Sequence, residues 1–360
     1  MARLGLGEGW SCTFANDIDS TKAATYRANF PDADLHLNQG DVWGLTTGDL
    51  PGRADLAWAS SPCQDFSLAG GRAGLAGGRS SAFYGFWNLI EALAAEGRAP
   101  RMLVIENVTG LLTSNGGGDF IALCRALADQ GYEYGALELD AAAFLPQSRP
   151  RVFVIAVHGG VRSWGMAEVP RTAAIARAYS RLPPSLRDHW IDWPASPPRQ
   201  CTRALADLVD PDLEALWHRP EETAHLITLM SPKHQAQLEA LRVLGDRTIG
   251  TLFRRTRQVK GHRQQRAEVR FDGRAGCLRT PGGGSSRQTL ILVERGQVRS
   301  RLISPREAAR LMGLADTYRL PTSTTAALHI VGDGVAVPVV RWLAQAVIEP
   351  LLSALDADAL

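Results

Sequence analysis

A cysteine that follows a short apolar run is the residue in this chain best placed for covalent chemistry. Residues 54–59 (ADLAWA) have the composition of a buried strand, and the chain then continues as Ser60-Ser61-Pro62-Cys63-Gln64. Loops at the carboxyl ends of parallel strands are where open α/β sheets bind ligands. A thiol in such a loop acts as a nucleophile in its thiolate form. The position of Cys63 therefore predicts a covalent catalyst.

Two further polar motifs lie at strand boundaries. Glu106-Asn107-Val108 ends one apolar run, and Gln147-Ser148-Arg149-Pro150-Arg151 opens another. A carboxyl group can hydrogen-bond to a bound ring and exchange protons with it, and a guanidinium stabilises negative charge that develops there. Singly, the three motifs are a small buried thiol, a helix cap and a surface pair. Together and in this order, they predict a reaction centre.

The first 157 residues alternate between strand and helix patterns. Strands are predicted over 11–16, 54–59, 101–105, 133–139 and 151–157, and helices over 20–29, 81–95 and 119–130. This alternation predicts an α/β fold with a doubly wound, mostly parallel sheet. Thiol, acid and arginine pair would then all lie at strand ends.

The composition is that of an ordinary globular protein, with 45% hydrophobic and 21% charged residues among 360. No run of about 18 apolar residues and no signal-peptide core are present, so neither a transmembrane segment nor a membrane partner is expected. The cysteines lack a CxxC pair, which predicts no metal site and indicates a reducing cytoplasm. They are Cys12, Cys63, Cys124, Cys201 and Cys277.

The pattern changes after His158. Residues 159 to about 275 contain two Pro-Pro pairs and irregular spacing, which predicts a separate, loop-rich module. Between Arg254 and Arg301 there are 13 Lys or Arg against three acids, although the whole chain carries only +2. Such a local excess attracts a phosphate backbone, but a solvated basic loop has the same composition.

Regular structure returns near the carboxyl terminus. Ser304-Pro305-Arg306-Glu307 forms a capping box, which predicts a helix over 305–312 that stops at Gly313. A last helix with one apolar face is predicted over 337–352.

These ordered motifs resemble those of the DNA (cytosine-5) methyltransferases over nearly the whole chain. The segments at Cys63, Glu106 and 147–151 are similar to the family's nucleophile loop, acid motif and arginine motif. The resemblance implies that the Cys63 thiolate adds to C6 of a flipped cytosine, so that C5 can attack a methyl group. Glu106 would bind N3 and the exocyclic amine. A guanidinium would bind O2, with Arg151 preferred over Arg149.

The resemblance also implies a site for S-adenosyl-L-methionine. In 14–19, which looks like the second motif, Asp17 would hold the ribose hydroxyls and Ile18 would lie against adenine. In Gly40-Asp41-Val42, similar to the third motif, Asp41 would meet the adenine amine. Residues 332–338 resemble the last motif, with Asp333 where Asn is usual. The implied cofactor-binding residues are Asp17, Ile18, Asp41, Val42, Pro62, Ser81, Asp333 and Val335.

Members of this family place a target recognition domain before the ninth motif, which residues 279–288 resemble. The expected organisation is a Rossmann-like catalytic domain over 1–158, a smaller, loop-rich recognition domain over 159–278, and a segment 279–360 that returns to the first. The arginines expected to meet DNA are Arg254, Arg255, Arg257, Arg263 and Arg287. The implied partner is duplex DNA, and the expected state is a monomer in the cytoplasm at the nucleoid. A cognate restriction endonuclease stays open as a partner.

The chain departs from the family at its start. The family opens with a strand and a Phe-x-Gly-x-Gly-Gly loop that holds the methionine part of the cofactor, whereas residues 1–6 resemble the helix after that loop. A truncated or misassigned start is the favoured explanation, because losing a central strand would expose backbone ladder groups and core side chains.

Other functions compete with DNA methylation. A relic that binds DNA without methylating it would explain the missing glycine loop. The same chemistry on RNA is open, although a recognition module of more than a hundred residues favours duplex DNA. A cysteine hydrolase would need a histidine partner for Cys63, and none of the eight histidines lies in a recognisable partner motif.

Overall fold

The structure is a computed structural model that describes residues 1–60, 82–160, 169–198, 201–210, 217–259, 262–280 and 287–358. The side chains at 257, 259 and 358 are outside this description, as are Pro62, Cys63 and Ser81. The chain divides into two compact units. The α/β unit comprises Leu6–Asp140, Pro150–Pro197 and Arg341–Leu360, and the hairpin unit comprises Met1–Gly5, Ala141–Arg149 and Pro198–Val340.

The α/β unit contains six described strands in two sheets. They are β1 (Ala15–Asp17), β2 (Leu37–Gln39), β3 (Leu56–Ala59), β4 (Met102–Val108), β5 (Tyr132–Asp140) and β6 (Pro150–His158). The pair β1–β2 is parallel, and the second sheet has the order β3-β4-β6-β5. Strand β3 runs parallel to β4, whereas β6 is antiparallel to both of its neighbours.

The second sheet is therefore mixed, not mostly parallel as predicted. The connection from β5 to β6 covers only residues 141–149, which is too short for the crossover that a parallel pair requires. Strand β6 consequently turns back and enters the sheet in the opposite direction, between β4 and β5. This insertion places the start of β6 beside the end of β4, where the site described below lies.

The helices of the α/β unit agree closely with the sequence predictions. They include α2 (Ser20–Asn29), α3 (Ala82–Ala95), α4 (Gly118–Asp129), α5 (Ala173–Arg181) and α6 (Pro184–Arg187). Helix α2 begins where expected because the Asp19 carboxylate accepts hydrogen bonds from the backbone amides of Thr21 and Lys22. The short helix α1 (Ala2–Leu6) precedes them in the chain.

One hydrophobic core holds these elements together. It combines Leu103 and Ile105 of β4 and Val154 of β6 with buried residues of α3 and α4. Ile175 of α5 and Leu186 of α6 belong to the same core. Residues 173–187 are therefore part of the α/β unit, and not of a recognition module beginning at residue 159 as expected.

The hairpin unit is built around an antiparallel sheet. Its strands are β7 (Thr248–Val259), β8 (His262–Arg270), β9 (Thr289–Glu294) and β10 (Gln297–Leu302), in the order β10-β9-β7-β8. Helices α7 (Pro220–Thr228) and α8 (Pro232–Leu244) supply Leu226 and Leu238 to a core shared with the sheet. The loop-rich prediction was thus wrong for this module, because arginine-rich strands hide the apolar alternation that marks a strand.

The carboxyl-terminal helices are α9 (Pro305–Leu311), α10 (Thr324–Asp333), α11 (Val337–Leu343) and α12 (Glu349–Asp358), with a π-helical turn at Ala344–Ile348. The predicted capping box of α9 is confirmed, with reciprocal bonds between Ser304 and Glu307. Strands β9 and β10 keep residues 289–302 in the hairpin unit, so the expected return to the first domain begins later than residue 279.

The helical stretch Thr324–Ala357 is long and apolar enough to cross a bilayer by length and composition alone. Half of its most apolar window is buried inside the protein, as in the core helix of a globular fold.

Candidate functional site

An acid and an arginine meet at the edge of the mixed sheet. Glu106 lies near the end of β4, and Arg151 lies at the start of β6. In the antiparallel register Glu106 is opposite Phe153 and Val108 is opposite Arg151, so Glu106 and Arg151 are diagonal neighbours on one face. The Arg151 Nε lies 3.1 Å from the Glu106 Oε1, and the two side chains are only 15% and 10% exposed. The sheet thus holds an almost buried ion pair at the predicted reaction centre.

This pair has hydrogen-bonding capacity beyond its own contact. The Arg151 Nη1 also donates to the Pro150 carbonyl at 2.8 Å. A guanidinium carries five N–H donors and a carboxylate about four acceptor sites, so one ion pair leaves several for a ligand. The buried Asn107 accepts a bond from the Val108 amide at 2.9 Å, just where β4 gives way to a 3₁₀ turn at Thr109. A flat polar ring can therefore be recognised here.

Arg149, the second predicted arginine, has different partners. It is 3% exposed and belongs to the hairpin unit. Its Nη1 donates to the Leu278 carbonyl at 2.8 Å, and its Nη2 donates to the carbonyls of Gly332 and Gly334 at 2.8 and 2.7 Å. These bonds tie two distant chain segments together. They assign Arg149 a structural role, and of the two arginines Arg151 is the one paired with Glu106.

Gln147, for which the sequence suggested no individual role, helps Arg149 in this task. Its side chain is fully buried, donates to the Leu311 carbonyl and accepts from the Leu278 amide at 3.2 Å. A glutamine beside a predicted apolar strand is the signal that could have indicated this contact, because a buried amide requires partners.

Gly332 allows the segments joined by Arg149 to come close. A Cβ atom at this position would lie 2.7 Å from the Thr280 nitrogen, so no larger residue fits without displacing backbone. The neighbouring Asp333 is exposed and accepts a bond from the Thr280 hydroxyl, whereas Val335 is buried. The structure places these two cofactor candidates in the hairpin unit.

The other cofactor candidates lie at the carboxyl ends of β1 and β2. Asp17 is opposite Gln39 in the parallel register, and the Gly40 amide donates to the Asp17 carbonyl at 3.1 Å. Because the two strands end side by side, Asp17 and Asp41 leave the same sheet edge. The Asp41 carboxylate accepts from the Trp43 amide at 3.1 Å, which holds the turn after β2.

These residues fit a nucleoside. Ile18 is 68% exposed, which is high for a large apolar side chain at a strand end. It lies between two acids in this arrangement, and an apolar surface flanked by hydrogen-bond acceptors matches a purine and its ribose. Helix α3 packs directly on the same turn, since a Cβ at Gly85 would lie 2.6 Å from the Val42 Cγ1. The chemistry of S-adenosylmethionine's adenosine part is therefore compatible with this edge.

The predicted DNA-binding arginines have three kinds of environment. Arg254 and Arg263 are exposed on β7 and β8, and Arg255 forms an ion pair with Glu268 at 3.1 Å. Arg287 lies apart from them and donates to the Thr325 hydroxyl at the start of α10. The side chain of Arg257 is outside the described part of the structure. Four of the five therefore have known environments, and only those on the strands share a surface.

No metal centre is apparent in the described residues, where no three His, Cys, Asp or Glu side chains form a group that could hold an ion. The buried Cys124 is unsuited to nucleophilic chemistry, because burial raises the pKa of its thiol far above the ordinary value.

Comparison with known proteins identifies the family. A Type II methyltransferase of Bacillus subtilis, M.BsuFI, is 27% identical over 98% of this chain and 71% of its own length. M.HpaII of Haemophilus parainfluenzae is 25% identical over 95% of this chain and 84% of its own. The fold is similar to that of the Dnmt2 methyltransferase of S. pombe, with a TM-score of 0.58, 17% identity and coverage of 95% and 91% of the two chains. The sequence profile for C-5 cytosine-specific DNA methylases matches residues 2–349, and the chain therefore belongs to that family of methyltransferases.

Proposed function

We propose that the protein transfers a methyl group from S-adenosylmethionine to C5 of a cytosine in a specific duplex DNA site. The observation that carries this proposal is the Glu106–Arg151 ion pair, because it presents an acid and a guanidinium together at the sheet edge. The loop of Cys63 follows β3, which runs parallel to β4 in the same sheet. A nucleophile, an acid and an electrophilic donor group are the components that this reaction requires.

In the proposed reaction the Cys63 thiolate forms a bond to C6 of the cytosine. The electrons of the C5–C6 double bond are then available at C5, and negative charge spreads toward N3 and O2. Glu106 would bind N3 and the exocyclic amine, and the Arg151 guanidinium would bind O2, so both stabilise that charge. After C5 has gained the methyl group, loss of the C5 proton and of the thiolate restores the double bond. The base must leave the duplex for this contact, at a cost of a few kcal/mol.

The cofactor would be held at the ends of β1 and β2. Asp17 would accept hydrogen bonds from ribose hydroxyls, Asp41 would accept one from the adenine amine, and Ile18 would cover a face of the purine. When bound, S-adenosylmethionine supplies a methyl group made electrophilic by a sulfonium. Asp333 and Val335 remain proposed contacts, as do Pro62 and Ser81, which lie outside the described residues.

Transfer of labelled methyl groups is the experiment that tests this function. The full chain is incubated with labelled S-adenosylmethionine and either mixed-sequence duplex DNA or RNA of the same sequences. We expect label on DNA only, at C5 of cytosine after enzymatic digestion. Label on RNA alone would replace the proposed substrate, and binding of DNA without any transfer would favour a protein that binds DNA and does not modify it. The names of the curated relatives, Type II methyltransferases, also support a search for a companion restriction endonuclease.

Replacing Glu106 with glutamine is expected to slow methyl transfer by about 10²- to 10⁴-fold, because an amide hydrogen-bonds but cannot exchange a proton with N3. DNA affinity should change little. The measurement is single-turnover transfer together with DNA binding by fluorescence anisotropy. The control is Glu91→Gln, since Glu91 accepts a bond from the Trp87 indole at 2.9 Å and an amide oxygen can do the same. A Glu106→Gln variant as fast as this control would contradict the assigned role.

A further inference from the structure

Strands β7 and β8 continue beyond the sheet to which they belong. Strand β7 pairs with β9 only over Thr248–Leu252, but with β8 it pairs as far as Val259. Residues 253–259 and 262–268 therefore form a two-stranded ribbon, which has β pairing on one side of each strand within the described structure. At about 3.3 Å per residue the ribbon is roughly 23 Å long. It is anchored at its base by the buried Leu252, Ala267 and Val269.

The register divides the side chains of the ribbon between two faces. Residues directly opposite each other in an antiparallel pair lie on the same face, and the faces alternate along each strand. The pairs Thr256–Gln265 and Gln258–Arg263 therefore share one face with Arg254. We call this set the polar face, and all five of its side chains are exposed: Arg254, Thr256, Gln258, Arg263 and Gln265.

The opposite face is different in chemistry. Arg255 is directly opposite Arg266, and this face also carries Phe253, Gln264 and Glu268. The Arg255 guanidinium is engaged, since its Nε lies 3.1 Å from the Glu268 Oε2 and its Cζ lies 6.0 Å from the Phe253 ring centre. This face is therefore partly closed by its own contacts, whereas the polar face presents side chains to solvent along its length.

The charge of the ribbon indicates the kind of partner it fits. Residues 253–268 contain six Lys or Arg and a single acid, Glu268. Two arginines directly opposite each other in a sheet are destabilising, and one ion pair offsets only part of that repulsion. A partner with dense negative charge relieves the remainder. Nucleic acid has this property, with one charge per roughly 1.7 Å of duplex.

The shape of the ribbon selects among nucleic acids. The major groove of B-form DNA is about 12 Å wide and admits a two-stranded β-ribbon, whereas the major groove of A-form RNA is too narrow for side chains to read. We propose that this ribbon enters the major groove of duplex DNA with its polar face toward the base edges. The inference rests on the proposed function in one respect, that the bound duplex is also the substrate for methylation.

The side chains of the polar face have the chemistry of direct base readout. A glutamine can make two hydrogen bonds to adenine, an arginine can make two to guanine, and a threonine methyl group can contact the methyl of thymine. Opposed side chains in the ribbon are separated by about 5 Å at Cβ, which is close to the spacing of stacked base pairs. Neighbouring pairs such as Thr256–Gln265 and Gln258–Arg263 can thus read successive positions of one site.

Two consecutive glutamines provide a matched test. Gln265 is on the polar face and Gln264 is on the other, and both are exposed, so alanine at either position should leave folding unchanged. The full chain and each variant are used to select sequences from a random duplex DNA pool, followed by sequencing. We expect the unmodified chain to enrich a short sequence. Gln265→Ala should lose discrimination at one base pair by about 10- to 100-fold, and Gln264→Ala should keep the preference intact.

The possible results separate clearly. Equal loss in both variants, or loss in neither, overturns the assignment of the polar face. Failure of the unmodified chain to enrich any duplex sequence, or enrichment from an RNA pool only, overturns the major-groove proposal. The enriched duplex is then tested as a methyl acceptor. Selective binding that depends on Gln265, without methyl transfer, would refute the proposed function and leave the ribbon proposal standing.

Discussion

Replacing Cys63 with serine is expected to lower methyl transfer on the order of 10⁴-fold or more, the range observed when a covalent nucleophile is removed. A serine hydroxyl is far less acidic than a thiol, so at neutral pH it supplies almost no anion to add to C6. Without that addition C5 stays a poor nucleophile, and neither Glu106 nor Arg151 can compensate. The measurement is transfer of labelled methyl groups to duplex DNA, accompanied by DNA binding, which should persist.

Another cysteine of the chain provides the control. Cys12 is half-buried, and its thiol donates weakly to the Phe14 carbonyl at 3.6 Å, a bond that a serine hydroxyl can replace. Cys12→Ser should therefore retain transfer within a few-fold. DNA containing 5-fluorocytosine gives a second readout, because a fluorine at C5 cannot leave as a proton does. A covalent complex should form with the unmodified chain and be absent in Cys63→Ser, and a complex that persists in the variant would exclude Cys63 as the nucleophile.

Replacing Arg301 with methionine is expected to cost about 3–5 kcal/mol of unfolding free energy, the range for breaking a buried ion pair. Arg301 and Glu307 are 0% and 1% exposed and form two parallel bonds of 2.8 and 2.6 Å. The Glu307 carboxylate also accepts from the amides of Asp210 and Ser304. Methionine fills similar volume but leaves a buried carboxylate with backbone donors alone. Urea unfolding at pH 7 measures the loss.

Acid should reduce this difference. Burial by itself would raise the pKa of Glu307, but the bonds from Arg301 and the backbone lower it below the ordinary value of 4.5. A lowered folded-state pKa means that the pair stabilises the protein above pH 4.5 and that this contribution disappears as the pH falls through the folded value. In Arg301→Met the carboxyl group can protonate more readily, so the deficit should be largest at neutral pH. A deficit independent of pH would contradict this account.

Two further variants complete the stability test. Arg310→Met removes an ion pair with the exposed Asp316 and should have a much smaller effect, because solvent already screens that pair. The double variant Arg301→Met with Glu307→Gln should recover part of the loss, since a neutral amide is less costly to bury than an unpaired carboxylate. If Arg310→Met were as damaging as Arg301→Met, burial would not be the reason.

The local elements of the α/β unit were predictable because each depends on neighbouring residues. Asp19 caps α2 within one turn, the Ser304–Glu307 box starts α9, and uninterrupted apolar runs produce β3, β4 and β6. The motif residues could also be named, since a thiol, an acid and an arginine have intrinsic chemistry. Family membership follows from the same ordered motifs and is confirmed by the match over residues 2–349.

The hairpin unit was much less predictable. The outer parts of β7 and β8 have no apolar alternation, because neither face of the ribbon is buried there. Hydrophobic periodicity reports burial on one face, so a strand exposed on both faces looks like a basic loop. The boundaries of the units were missed for a related reason, since contacts such as those of Ile175 and Leu186 with the first core join residues far apart in the chain.

The sequence by itself determined which kinds of groups the reaction centre contains and the order in which they occur. It could not decide between Arg149 and Arg151, because residues two apart have the same side-chain parity in an extended chain. The tertiary structure decided this through the antiparallel register of β6 on β4, which brings Arg151 to Glu106, and through the carbonyls of Leu278, Gly332 and Gly334, which bind Arg149. The strength of an ion pair depends on distance in space, and only the folded register sets that distance.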